Sequence, residues 1–263
     1  MTQLQQQAEE TIRKRHSERQ RKRIRNMKIR RTVFFILLSL IAVFVIMFYT
    51  PIFKIRGVDI EGNQKVDSAV ITESLGEVEG KNLFRAKVSA MRKSVLKIPY
   101  IQTVEIDRVI LRSKLVVKVT ECEEAACIAG GSGYIIIDSS AKVLADSAEK
   151  PEGIPEVTGL SITNISVGEK LKIEEQDKFN IMVMCLEEMK KIGILGGVRT
   201  ISVADAGNIT FNYEDRLDAI CGSSVDLEKK LGYFKSAANS NRLTENSRGT
   251  IDLTTTGKAI YSP

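Results

Sequence analysis

The chain has 263 residues, 43% hydrophobic and 27% charged, with a net charge of +6, four cysteines, one histidine and no tryptophan. Because the single histidine is His16, Ser-His and Cys-His nucleophilic pairs and histidine-based zinc sites are excluded from everything that follows it. The charge is unevenly placed: residues 1–31 hold eleven Lys/Arg against three Glu, a net +8 that leaves the rest of the chain at −2.

The basic segment stops at Arg31, and residues 32–53 carry no charge. As a helix this run rises about 33 Å, enough to cross the hydrocarbon core of a bilayer. It leaves through Phe48-Tyr49-Thr50-Pro51-Ile52-Phe53 with no small-x-small cleavage pattern, so it reads as an uncleaved anchor. Only Lys54, Arg56 and Lys65 are basic within fifteen residues after it, which predicts a cytoplasmic N-terminus and residues 54–263 outside. For the tail, with Arg13, Lys14, Arg15, Arg19, Arg21, Lys22, Arg23 and Arg25, the two readings are nucleic acid and anionic lipid. A charge run that ends where the apolar run begins favours lipid, and no nucleic-acid partner is expected.

About 210 residues lie beyond the anchor, enough for one large or two small units, and the pattern favours two. Val58 and Ile60 alternate with Asp59 and Glu61 up to the turn pair Gly62-Asn63, a strand signal. A short helix follows, with Asp67 or Ser68 as cap, Val70, Ile71 and Leu75 as its apolar stripe and Gly76 at its end. Val88, Met91 and Val95 recur at helical spacing until Pro99. Two strands close the series, one with Val104, Ile106 and Arg108 on a face, the next with Leu115, Val117 and Val119.

This strand-helix-helix-strand-strand order behind a single anchor resembles the POTRA module of the FtsQ/DivIB family of bacterial cell-division proteins. The likeness rests on Val58-x-Ile60-x-Gly62-Asn63, Gly80-x-Asn82-Leu83-Phe84, Pro99-x-Ile101 leading into Val104-x-Ile106, and Leu115-x-Val117-x-Val119-x-Glu121. Arg112-Ser113 stands in the hairpin where the family commonly has a proline. The expected organisation is a basic cytoplasmic tail (1–31), a transmembrane helix (32–53), a POTRA domain (54–122) and an extracytoplasmic β domain (123–263). The expected fold class is α+β, with the second domain built on a mostly antiparallel sheet.

In that second stretch Tyr134 to Asp138, Val143-Leu144 and Ile154-Pro155-x-Val157 read as its entry. Phe179, Met182, Val183, Leu186 and Met189 give an amphipathic helix. Ile201 with Val203, Ile209 with Phe211, and Leu217 to Cys221 read as a meander turning at Asp205 to Asn208. Ser223 with Asp226 resembles a capping box opening a helix that carries Leu227, Leu231 and Phe234. Thr250 to Leu253 and Lys258 to Tyr261 return to strand pattern.

Chemistry is sparse. Cys122 and Cys127 could close a small loop, or all four cysteines, with Cys185 and Cys221, are unpaired buried thiols. Gly130-Gly131-Ser132-Gly133 lacks phosphate-loop spacing and reads as a hairpin or interdomain loop. The acid pairs Glu123-Glu124, Glu174-Glu175 and Glu187-Glu188 read as solvated faces. No catalytic, cofactor or metal residue is singled out, and a signal-anchored hydrolase of the Ser-Lys type is the rival reading. A POTRA protein handling substrates in transit is a third, without the repeated units or barrel strands it would need.

The resemblance implies a non-enzymatic scaffold at the division septum. It would bind FtsL and DivIC (FtsB in other bacteria), with septal peptidoglycan synthases as further partners, and help regulate septal peptidoglycan synthesis. Partner contact is expected by strand addition at the C-terminal edge, from Thr250, Ile251, Asp252, Leu253, Ala259, Ile260 and Tyr261. The competing reading makes Ile251, Leu253 and Ile260 ordinary core residues and Tyr261 a frayed end.

Overall fold

A computed structural model describes residues 27–131, 133–240, 243–244, 246–255 and 257–263. The basic tail up to Asn26, His16 within it, and Ser132 lie outside the described residues.

The apolar run is a helix, α1 (Met27–Tyr49), long and apolar enough to cross a membrane. It stops four residues short of Phe53. Pro51 pushes Thr50 to an extended ψ of 153°, and Pro51–Phe53 become a 3-10 turn. The Thr50 hydroxyl donates back to the Ile46 carbonyl at 2.6 Å, closing the last turn.

The next elements are β1 (Gly57–Glu61), α2 (Ser68–Leu75), α3 (Val88–Val95), β2 (Ile101–Val109) and β3 (Lys114–Glu121), the strands forming a sheet of order β1-β3-β2. Asp67 is the cap of α2, accepting from the Ala69 N–H at 2.9 Å, and Gly76 ends the helix at φ +70°. Ile71 and Leu75, one turn apart, are buried, whereas Val70 is 47% exposed: the stripe of this two-turn helix is one residue wide. Between β2 and β3 the chain makes a 3-10 turn, Ile110–Arg112, and Ser113 takes the left-handed conformation at φ 52°.

The remaining strands are β4 (Ala126–Gly130), β5 (Gly133–Ile137), β6 (Val143–Ser147), β7 (Glu156–Thr158), a separate ribbon β8 (Ile162–Asn164) and β9 (Lys172–Ile173), β10 (Val198–Ser202), β11 (Ile209–Tyr213), β12 (Leu217–Gly222), β13 (Gly249–Asp252) and β14 (Ile260–Ser262). Nine of them form one mixed sheet, ordered β14-β13-β12-β11-β10-β7-β4-β5-β6. Its neighbours are antiparallel except β12 with β13, β10 with β7, and β4 with β7. The glycine run is the β4–β5 hairpin, with Gly130 opposite Gly133.

Two helices, α4 (Gln176–Lys191) and α5 (Leu227–Ala238), share a core with the nine-stranded sheet. Met182, Cys185, Leu186 and Met189 of α4 are fully buried, as the three- and four-residue spacing predicts, while Phe179 and Val183 sit at the margin of that core. Ile135 and Ile137 join this core, and Ile136 between them joins a smaller cluster with Cys122 and Leu144, so β5 is covered on both faces. The expected capping box does not form: α5 starts at Leu227, and Asp226, left-handed at φ 55°, makes no side-chain cap and instead pairs with Lys229 at 2.8 Å.

By compactness the chain divides into two units. One holds residues up to 58 with 78–87 and 108–115; the other holds 59–77, 88–107 and 116–263.

Candidate partner-binding edge

The C-terminal end of the nine-stranded sheet is built as a crossover. β13 runs parallel to β12, which a tight hairpin cannot achieve, and α5 lies in the connection between them. Phe234 of α5 meets Phe211 at 4.7 Å and Tyr213 at 5.3 Å, both edge-to-face, and fixes the helix on the sheet.

β13 is an interior strand. Ile251 and Leu253 are 0% and 1% exposed and belong to the main core, and the Leu253 N–H donates to the Ile220 carbonyl at 2.8 Å. Thr250 and Asp252 alternate with them and are half-buried. The Asp252 carboxylate accepts from the Thr254 hydroxyl at 2.7 Å and the Thr254 N–H at 2.8 Å, bonds that hold it below the usual aspartate range. Gly249 has φ +152°, and a Cβ there would fall on the Ser262 carbonyl, so only glycine lets β14 approach.

β14 pairs antiparallel with β13, Thr250 opposite Ser262, Ile251 opposite Tyr261 and Asp252 opposite Ile260. It is the last strand of the sheet, and no strand among the described residues covers its other flank. Ile260 is 42% exposed and Tyr261 is 36% exposed, while Ala259 is half-buried against the core. The Tyr261 hydroxyl donates to the Arg248 carbonyl at 2.7 Å, so this end of the chain is tied down. The seven expected residues therefore separate: Ile251 and Leu253 are core, and Ile260 and Tyr261 stand on the open edge. At the opposite end of the sheet the start of β6 is covered, the Val143 N–H donating to the Glu169 carbonyl at 2.9 Å and the Gly168 N–H to Val143 at 2.8 Å.

The adjacent acids Glu123 and Glu124 turn to different lysines. Glu123 pairs with Lys190 at 2.9 Å, and Glu124 with Lys65 at 2.8 Å. The Tyr100 hydroxyl donates to Glu124 at 2.9 Å, and burial, with that bond, pushes Tyr100 up to about 12. The Glu121 carboxylate accepts the N–H groups of Gln64, Lys65 and Val66 at 2.8–3.0 Å. Burial raises its pKa, but those three bonds and the Lys65 charge outweigh burial and hold it below the ordinary glutamate value. Sequence reasoning found Glu121 only as a strand end and missed Lys65 and Tyr100, because these partners lie 24 to 59 residues apart.

All four cysteines are buried and unpaired. Burial pushes Cys122 up to about 11 and Cys185 and Cys221 up to about 12, leaving protonated thiols with little nucleophilic character. Among the described residues no group of three His, Cys, Asp or Glu is placed to hold a metal ion.

The family model of the POTRA domain, FtsQ-type, matches residues 53–121. The cell division protein FtsQ of Corynebacterium glutamicum is 30% identical over 143 residues, which is 54% of this chain and 64% of that protein, so the chain matches just under two thirds of its length. The cell division protein DivIB of Clostridium acetobutylicum is 24% identical over 216 residues, 81% of this chain and 84% of the relative. DivIB of Clostridium botulinum strain Hall is 23% identical over 252 residues, covering 93% of both chains.

Proposed function

We infer that this chain, a member of the FtsQ/DivIB family of bacterial cell-division proteins, is a membrane-anchored, non-enzymatic scaffold of the division machinery. Its anchor is α1, its N-terminus is cytoplasmic, and residues 54–263 stand outside the cell membrane at the septum. The outer part works as two domains, a POTRA domain at 54–122 and a β domain at 123–263; all three strands of the small sheet fall in the first and all nine of the large sheet in the second.

The observation that carries this reading is the open flank of β14. An uncovered edge strand offers a row of backbone donors and acceptors, and an extended segment of a partner completes the sheet by adding one more strand. The partners are bitopic division proteins of the FtsL and DivIC/FtsB kind, and through them the chain takes part in regulating septal peptidoglycan synthesis. Ile260 and Tyr261 supply the side-chain contacts; Thr250, Asp252 and Ala259 shape the strand behind them, and Ile251 and Leu253 hold that strand to the core.

Pull-down from membranes tests the proposal, with the full chain compared against a version ending at Lys258. Small bitopic division proteins should be recovered by the full chain alone. Equal recovery by the shortened chain would refute the edge as the contact.

A further inference from the structure

The loop Gly80–Lys87 and the β2–β3 turn, far apart in sequence, are both bonded to the segment where α1 ends, all within one compact unit. The Asn82 side-chain amide donates to the Met47 carbonyl at 3.0 Å, and the Leu83 N–H donates to the Phe53 carbonyl at 2.8 Å. Phe84 packs its ring on Phe48 and Phe53, with centroids 6.0 and 5.2 Å apart. The Arg85 guanidinium lies 5.7 Å from the Tyr49 ring. On the turn side, the Ser113 hydroxyl donates to the Ile52 carbonyl at 3.3 Å, and the Arg56 N–H donates to the Ser113 carbonyl at 2.8 Å.

The result is a collar around the end of the helix with two properties. First, apart from α1 and what precedes it, this unit carries eight Lys/Arg against one acid, Glu79, while residues 59–77, 88–107 and 116–263 carry twenty Lys/Arg against twenty-nine Asp/Glu. Second, its turn exposes apolar side chains that fold into nothing: Leu111 is 101% exposed and Ile110 is 49% exposed, with Ile52 at 60% on the exit segment. Bare aliphatic side chains beside Arg112 are wasteful in water and suited to a headgroup region, while Arg108 holds the loop through the Leu83 and Ala86 carbonyls at 3.0 Å.

We propose that this collar is a lipid-binding surface, seating on the outer leaflet with Lys54, Lys81, Arg85, Lys87 and Arg112 on anionic phospholipid headgroups and Ile110 and Leu111 dipping below them. The occupant is the bilayer that α1 spans, because the same unit contains the helix end and Tyr49 and Arg85 suit the membrane-water boundary. The proposal rests on the anchor reading. Headgroup attraction contributes about fivefold to the bound-to-free ratio for each basic residue near the surface.

The chain has no tryptophan, so single substitutions report without background. Leu111→Trp alters a fully exposed side chain and leaves the core untouched. The full chain carrying it is reconstituted in nanodiscs of phosphatidylcholine alone and of phosphatidylcholine with phosphatidylglycerol, and quenching by brominated acyl chains is read. Strong quenching with phosphatidylglycerol, falling severalfold without it or with Arg85→Glu and Arg112→Glu added, is the expected result. Leu38→Trp, inside α1, should be quenched in both lipids. Quenching of Leu38→Trp without quenching of Leu111→Trp would overturn the collar proposal while the anchor stands; loss of both would overturn the anchor reading and the proposal with it. Quenching of Leu111→Trp independent of phosphatidylglycerol would overturn the headgroup assignment, and a response only to an added anionic cell-wall polymer would give the surface to that polymer.

Discussion

Glu121 does the work of a helix cap for a turn that is not a helix. Its Oε1 takes the N–H of Gln64 and of Val66, its Oε2 takes that of Lys65, and Gly62, at φ +89°, leaves no room for a Cβ against the Val119 carbonyl. Glu121→Gln points an amide NH2 at one of these donors, and because the bonds to Gln64 and Lys65 are exposed the loss should be about 0.5–1.5 kcal/mol of stability. On a chain of this size that is roughly 2–4 °C in Tm for each kcal/mol, read by thermal unfolding. The pH dependence has a fixed sign. A carboxyl whose folded pKa lies below its unfolded value adds stability above the unfolded value, near 4.5, and loses it as pH falls through the folded one. Denaturant midpoints measured on the way down from neutral pH should fall below about pH 4.5 in the native chain and fall less steeply in Glu121→Gln. A slope equal in both would mean other carboxylates carry the acid response. Nothing local in the sequence announces this role, since the residue and its three donors are at least 55 positions apart.

Elements with their own periodicity were legible in the sequence, and elements defined by what covers them were not. The stripe Met182, Leu186 and Met189 places α4 on a sheet because only a buried face explains that spacing. The same logic cannot separate β13 from β14: both are short apolar strands, and burial distinguishes them only once α5 has carried the chain back beside β12. That difference changes what a truncation means. Removing residues 249–263 takes Ile251 and Leu253 out of the core, and each such loss costs about 2–5 kcal/mol, so loss of partner binding would follow from unfolding alone. Removing 259–263 takes away β14, and the near-ultraviolet and thermal signatures of the rest should persist. Leu253→Ala alone should lower stability by about 2–5 kcal/mol, while Ile260→Ala, on the open edge, should stay within about 0.5 kcal/mol. An equal cost at the two positions would show that β14 is as integral as β13.

On the scale of the whole molecule the sequence carries two basic groups, and only one of them is positioned to set orientation. Membrane insertion responds to Lys/Arg within about 15–20 residues of the helix end, a window that holds the dense tail before α1 and only Lys54, Arg56 and Lys65 after it. The other six bases of the collar, from Lys81 to Lys114, come later in the chain and meet the helix end through folding. In the orientation proposed above, positive charge would gather at the outer membrane face without inverting the anchor, because it is supplied by residues remote in sequence. Replacing the eleven Lys/Arg of residues 1–31 by Gln should therefore yield a population with residues 54–263 retained inside, seen as protection from protease added to cells stripped of wall. Replacing the six late bases by Gln should leave every chain oriented outward while reducing contact of the collar with anionic lipid. An inversion caused by the late bases, or none caused by the tail, would show that orientation is set by something other than the charge next to the span.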